Sequence, residues 1–118
     1  MNLIATRKTH ASLEQAADRR VYDRIPAELA VSAWSLSQPT RRLEGWTVNL
    51  GAGGALLHLP DLPPLAATLQ ASIDLPRERI TFGADVRWRE EPGLVAVQFD
   101  RISPESRAAL VEYLRGLR

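Results

Sequence analysis

Apolar and polar residues alternate with a period of two along most of this chain, which is the pattern of half-buried β-strands. The alternation is most regular over residues 67–75 and 80–88, and residues 76–79 between them predict a hairpin loop. Further turns are predicted at 38–41 and at 90–93, where Pro or Gly interrupts the pattern. The apolar positions of the alternation are Leu29, Val31, Ala33, Trp46, Val48, Leu50, Ala55, Leu57, Leu59, Ala67, Leu69, Ala71, Ile73, Leu75, Ile80, Phe82, Ala84, Val86, Trp88, Val95, Val97 and Phe99.

The pattern changes to a helical period near the end of the chain. Ser103 is suited to cap a helix and Pro104 to occupy its first position. The apolar residues that follow share one helical face. They are Leu110, Val111, Leu114 and Leu117.

These elements predict an all-β fold with a flanking helix. We expect six short antiparallel strands, because neighbouring strands are joined by tight turns, and closure into a small barrel would remove exposed edges. The barrel and its C-terminal helix are assigned to residues 18–118. Residues 1–17 are expected to form a flexible N-terminal arm, in which residues 12–15 resemble a capping box that opens a short helix.

Composition narrows the class of protein. The length of 118 residues suggests one domain, and 45% apolar residues are enough to form a core. A net charge of +1 argues against a protein that holds DNA or RNA by bulk electrostatics. The absence of cysteine excludes disulfides, thiolate catalysis and cysteine-based zinc sites.

The sequence predicts neither export nor membrane insertion. Residues 1–10 are too polar, and their apolar run is too short, for a secretion signal. No apolar stretch approaches the roughly 20 residues that a membrane-spanning helix needs. We therefore expect a cytoplasmic protein.

Arginines are concentrated immediately before the first predicted strand. Arg20 and Arg24 lie four positions apart, and Arg19 precedes them. A guanidinium can form paired hydrogen bonds with a phosphate or with the O6/N7 edge of guanine. Taken alone, such a run is more often a solvated basic linker, and Arg19 could also pair with Asp23 or Glu14.

A glycine-rich turn follows the strand that contains Trp46. It begins at Asn49 and includes Gly51, Gly53 and Gly54. The amide of Asn49 could accept hydrogen bonds from guanine N–H groups, or it could simply stabilise the turn. The glycines permit positive φ angles or close approach of the backbone to a ligand, although a bulge or a hairpin needs them equally.

Together these features resemble the PilZ domain family. Its members are six-stranded antiparallel barrels with a C-terminal helix, and they bind the bacterial second messenger cyclic di-GMP. The family has an R-x-x-x-R run before the first strand and a [D/N]-x-S-x-x-G motif between the second and third strands. Arg20 and Arg24 match the run, and Asn49, Gly51 and Gly54 stand at the motif.

The resemblance covers roughly residues 18–117 and implies that the two motifs form a cyclic di-GMP site, with Arg19 and Trp46 as further candidates. One position departs from the family pattern, because Gly51 replaces the motif serine. A lost neutral hydrogen bond of about 0.5–1.5 kcal/mol would weaken binding about 2- to 13-fold. Binding is therefore still expected.

Aromatic and basic residues in the strands could add to this site. The tryptophans Trp34, Trp46 and Trp88 lie in strand patterns, where packing is their commoner role, although an exposed tryptophan can stack on a base. Arg87 and Arg89 flank Trp88. They are either solvated strand residues or an extension of the basic surface around the ligand.

No catalytic or metal site is predicted. His10 and His58 are the only histidines, and no carboxylate cluster accompanies them at ligand spacing. No Ser/His/Asp arrangement with a supporting signature is present. We expect no enzyme activity and no cofactor.

The predicted function is that of a cyclic di-GMP receptor that acts in trans on an unidentified effector protein. The resemblance implies control of motility, exopolysaccharide production or biofilm formation, by a monomer or weak dimer. The alternative is a protein–protein interaction module of the same fold that binds no nucleotide. A small barrel that binds RNA or DNA is a third option, which the near-zero net charge disfavours.

Overall fold

A computed structural model describes residues 24–117, and within them the chain forms seven β-strands and one α-helix. The predicted arm, its short helix, Arg19 and Arg20 lie outside the described residues. The elements are β1 (Ile25–Pro26), β2 (Ala30–Ser35), β3 (Gln38–Leu50), β4 (Gly54–His58), β5 (Thr68–Asp74), β6 (Arg79–Glu90), β7 (Leu94–Ile102) and α1 (Pro104–Gly116).

Six of the strands close into an antiparallel barrel. They are hydrogen-bonded in the order β3-β2-β5-β6-β7-β4, and β4 pairs back with β3 to complete the ring. The two-residue strand β1 is an extra element, paired only with the end of β3. The predicted six-stranded antiparallel barrel is confirmed, and closure leaves its long strands with no open edge.

The core consists of inward-facing residues of the alternating strands. Leu69 and Ile73 of β5 are fully buried, as the period of two predicts. Phe82 of β6 and Phe99 of β7 meet inside the barrel with ring centroids 4.5 Å apart. Burial of these apolar side chains is the main term that stabilises the fold.

The predicted phase of β3 is wrong over part of the strand. Trp46 and Val48 are 42% and 38% exposed, whereas Leu50 is fully buried. The pairing of β3 with β4 shifts register between Thr47 and Asn49. This bulge inserts one residue, so Thr47 faces the core in place of its neighbours.

A similar irregularity changes the end of β6. Its register with β7 shifts between Val86 and Trp88. Val86 is buried, but Trp88 is 45% exposed and does not extend the core as the alternation predicts. A one-residue shift moves a side chain to the opposite face of a sheet.

The turn predicted at 38–41 is displaced. Ser35 pairs with Gln38, so the turn consists of Leu36 and Ser37, and β3 begins where the turn was expected. The hydroxyl of Ser35 accepts a hydrogen bond from the backbone N–H of Ser37 at 3.3 Å. This side-chain contact stabilises a turn that contains neither Pro nor Gly. The predicted loops at 76–79 and 90–93 do connect consecutive strands.

The C-terminal helix α1 begins as predicted and closes part of the core. The Ser103 hydroxyl accepts from the N–H of Ser106 at 3.0 Å, and Pro104 occupies the first turn. Leu110 and Leu114 are buried in the same apolar cluster as the barrel strands. Leu117 follows the helix end and is 42% exposed, so its predicted place in the stripe is wrong.

Among residues 24–117, no helix has the length and apolar content needed to cross a membrane.

Candidate ligand-binding cleft

The end of the arginine run lies against the glycine-rich turn. Strand β1 places Ile25 opposite Leu50 and Pro26 opposite Asn49. Immediately before this ladder, Arg24 Nη1 donates to Asn49 Oδ1 at 3.5 Å. Two motifs that are distant in sequence therefore meet through a short antiparallel pairing.

The bulge in β3 helps to hold this junction. Thr47 is buried by the register shift, and its hydroxyl donates to the carbonyl of Ala27 and accepts from the N–H of Leu29 at 2.9 Å. These bonds fasten the segment between β1 and β2 to β3. Asn49, beyond the bulge, is half-buried beside Arg24.

The glycine-rich turn is closed by its own backbone and by β7. The N–H of Gly51 donates to the carbonyl of Gly54 at 2.9 Å, and the N–H of Phe99 donates to the carbonyl of Gly53 at 2.9 Å. None of the seven glycines of the chain has a positive φ angle. The turn therefore does not need glycine for that reason.

Gly54 is required because a neighbouring strand passes close to it. A Cβ atom at this position would collide with the carbonyl oxygen of Val97 on β7. At Gly53 a Cβ would meet no atom within 4 Å. Packing therefore requires glycine at position 54, whereas Gly53 has free space around it and lines the cleft.

A cleft of about 440 Å³ opens beside this turn. Its size is within the range of roughly 300–1,000 Å³ that is usual for small-molecule sites. The wall residues come from the position before β1, the glycine-rich turn, β6, β7 and α1. They are Arg24, Gly51, Ala52, Gly53, Gly54, Arg87, Ala96, Val97, Gln98 and Arg107.

Among the described residues, three guanidiniums and no carboxylate line the cleft. Arg87 Nε donates to Gln98 Oε1 at 2.8 Å, and Arg107 Nη1 donates to the carbonyl of Ala52 at 3.4 Å. Within residues 24–117, none of the three arginines forms an ion pair with a carboxylate. The cleft is thus a local cationic site in a chain of near-zero net charge, and its groups can bind phosphates or guanine edges.

A family comparison agrees with the fold. The PilZ domain family model matches residues 18–116. The chain belongs to the PilZ domain family. This match includes both motifs and every described strand.

Solved structures show the same fold as this PilZ domain. The PilZ domain of CeSA from a cellulose-synthesizing bacterium is 19% identical, with a TM-score of 0.63 over 80% of this chain and 96% of that one. The PilZ domain of YcgR from Escherichia coli, solved with c-di-GMP, is 16% identical, with a TM-score of 0.65 over 84% of this chain and 91% of that one.

A third similar structure belongs to a larger protein. The Bacillus subtilis inhibitor of motility (MotI/DgrA) is 24% identical, with a TM-score of 0.68 over 83% of this chain. The match covers 50% of that protein, so this chain spans about half of its length. A comparison with curated protein sequences finds no match.

The structure brings together four of the predicted site residues of this PilZ domain. Arg24, Gly51 and Gly54 line the cleft, and Asn49 is hydrogen-bonded to the first of them. Trp46 is placed elsewhere: it lies further back along β3, stacks on His58 with ring centroids 4.4 Å apart, and does not line the cleft.

Arg87 contributes to the cleft, whereas its neighbour Arg89 donates to the carbonyl of Pro63 at 3.2 Å. The sequence reasoning missed Arg107 and Gln98. The sequence shows that Arg107 lies near the start of a capped helix. It does not show that this helix start packs beside the glycine-rich turn, because that contact depends on tertiary packing.

No metal site was predicted, and among residues 24–117 no group of three or more His, Cys, Asp or Glu side chains could hold a metal ion.

Proposed function

We propose that this PilZ domain is a cyclic di-GMP receptor. The observation that carries the proposal is the contact of Asn49 with Arg24, one of three arginines whose guanidiniums line the cleft. Cyclic di-GMP offers two phosphodiesters and two guanines, which are the groups that arginine binds with paired hydrogen bonds. The structure of the YcgR PilZ domain with c-di-GMP supports the same ligand for a shared fold.

Arg20 and Arg24 are proposed as the principal clamps. In the described structure Arg24 donates to a neutral amide oxygen at the long distance of 3.5 Å. A phosphate would be a stronger acceptor, because charge-assisted hydrogen bonds are roughly twice as strong as neutral ones. Arg24 would therefore exchange Asn49 for the ligand, and Asn49 would be free to bind a guanine.

Binding would change the surface that a partner protein contacts. Two clamps on the segment before β1 would hold that segment against the barrel, and ordering of a segment is an established kind of switch. We propose that an effector protein reads this change in trans, with motility, exopolysaccharide production or biofilm formation as outputs. The name of the B. subtilis inhibitor of motility supports the first of these.

Direct titration tests the receptor function. The full chain is titrated calorimetrically with cyclic di-GMP, and GMP and cyclic di-AMP serve as controls for the second phosphate and for the base. We expect saturable binding of cyclic di-GMP and much weaker binding of both controls.

Thermal melting provides a second measurement. Ligand at about 100 times its Kd stabilises the native state by about 2.7 kcal/mol, which corresponds to a rise in Tm on the order of 10 °C for a domain of this size. No binding heat and no rise in Tm at saturating ligand would favour the interaction module that binds no nucleotide.

A further inference from the structure

Arg107 connects the C-terminal helix to the cleft. It lies in the first turn of α1, yet its guanidinium reaches the carbonyl of Ala52 in the glycine-rich turn, which is 55 positions earlier in the chain. The contact is 3.4 Å long and its acceptor is neutral. Such a bond is weak and is easily replaced by an anionic acceptor.

The position of Arg107 is not explained by helix stability. Cations are unfavourable near the N-terminus of a helix, because the macrodipole there favours negative charge. Glu105, in the first turn of α1, has the favoured sign of charge, and Arg107 has the opposite sign. No carboxylate among residues 24–117 forms an ion pair with Arg107 to compensate. Its placement at the cleft wall therefore indicates a role toward a ligand.

The three cations of the cleft belong to three separate parts of the fold. Arg24 precedes β1, Arg87 lies on β6 and Arg107 lies on α1. A cyclic dinucleotide carries its two phosphates on opposite sides of a ring. One guanidinium fork can hold one phosphate, so among the described residues Arg24 leaves the other phosphate to a second guanidinium of the cleft, beside any contact that Arg20 makes.

We propose that Arg107 binds the second phosphodiester of cyclic di-GMP and thereby selects a dinucleotide over a mononucleotide. This inference rests on the proposed receptor function. Arg87, held by Gln98 at 2.8 Å, supplies a fixed positive charge in the same cleft. Arg107 exchanges the Ala52 carbonyl for a phosphate oxygen, so the ligand contacts α1 as well as the barrel.

The test compares Arg107→Gln with Arg115→Gln. Arg115 lies on the same helix in its last turn, pairs with Glu112 at 3.6 Å and does not line the cleft. Both variants of the full chain are titrated with cyclic di-GMP at several salt concentrations, and with GMP. Their melting temperatures without ligand show whether each variant folds normally.

We expect Arg107→Gln to weaken cyclic di-GMP binding about tenfold or more, because one charge-assisted hydrogen bond to the ligand is lost. Its affinity should depend less on salt, since one cationic contact is missing. GMP binding should change little, and Arg115→Gln should behave like the wild-type chain. A purely structural role of Arg107 would lower the melting temperature without altering the salt dependence.

Wild-type affinity and salt dependence in Arg107→Gln would overturn this inference and leave the receptor function standing. An equal loss in Arg115→Gln would overturn it too, by showing a general effect of charge. Absence of cyclic di-GMP binding by the wild-type chain would overturn the receptor function itself. If Arg107→Gln melts early, Arg107→Lys keeps the charge without the fork, so it should retain part of the affinity and the wild-type salt dependence. A loss as large as that of Arg107→Gln in a lysine variant that melts normally would exclude the proposed phosphate contact.

Discussion

The guanidinium of Arg24 and the side-chain oxygen of Asn49 are 3.5 Å apart, although 25 positions separate the two residues in sequence. The contact depends on the pairing of Pro26 with Asn49, which brings Arg24 to the glycine-rich turn. The two-residue strand β1 thus places Arg24, from the first motif, in the wall of a cleft whose other residues include the glycine-rich turn of the second.

Arg24→Ala and Arg20→Ala are each expected to weaken cyclic di-GMP binding by about tenfold or more and to leave the barrel folded. Arg24 is exposed and contributes no core packing, so its loss removes hydrogen bonds to the ligand rather than native contacts. Calorimetric titration measures the affinity. Arg41→Ala is the matched control, since this exposed arginine pairs with Asp61 at 3.4 Å and does not line the cleft. Wild-type titrations of both clamp variants would exclude the proposed clamp.

Gly51→Ser is expected to strengthen cyclic di-GMP binding about 2- to 13-fold, because it restores a hydroxyl that the family motif carries at this position. Gly51 has no positive φ angle, so its backbone conformation accepts a serine. Affinity is measured by titration, and the melting temperature is measured beside it. Normal melting with no gain in affinity would show that residue 51 makes no hydrogen bond to the ligand.

Thr47→Val is expected to destabilise the fold by about 1–3 kcal/mol, because it leaves the N–H of Leu29 and the carbonyl of Ala27 without their partner. The corresponding fall in Tm is roughly 4 °C per kcal/mol for a domain of this size. Thr47→Ser keeps the hydroxyl and should retain more stability than the valine variant. Thermal melting of both variants measures the difference. A valine variant as stable as wild type would show that this hydroxyl does not hold the segment after β1.

Gly54→Ala is expected to be destabilising by about 1–3 kcal/mol, the usual cost of forcing extra atoms into a packed site. The added methyl group would collide with the carbonyl of Val97 and push β4 from β7. Gly53→Ala is the matched control, since its Cβ meets no atom within 4 Å. Equal Tm values for the two variants would contradict the proposed close approach of β7.

Much of the fold could be predicted from local sequence. Strand β5 alternates as expected, with Leu69 and Ile73 buried, because a regular strand exposes successive side chains to opposite faces. The start of α1 was equally readable, since Ser103 and Pro104 act on the backbone next to them. The family assignment, confirmed over residues 18–116, rested on two motifs in the correct order.

The errors occur where strand pairing departs from regularity. The exposed Trp46 and Val48 follow from a bulge, and the turn at Leu36 and Ser37 follows from the register of β2 with β3. A bulge depends on which residue of the partner strand lies opposite, so a single strand does not reveal it. The period of two therefore did not reveal that Trp46 stacks on His58 and does not line the cleft.

The strand periods, the helix start and the two arginine and glycine motifs depend on neighbouring residues, so the order of amino acids predicts them. Three contacts follow only from tertiary packing: β4 closes the ring on β3, β1 brings the motifs together, and Arg107 reaches Ala52. These contacts join residues that are remote in sequence, and their geometry is set by the packing of the whole barrel. The cationic cleft is therefore a property of the folded chain that neither motif contains.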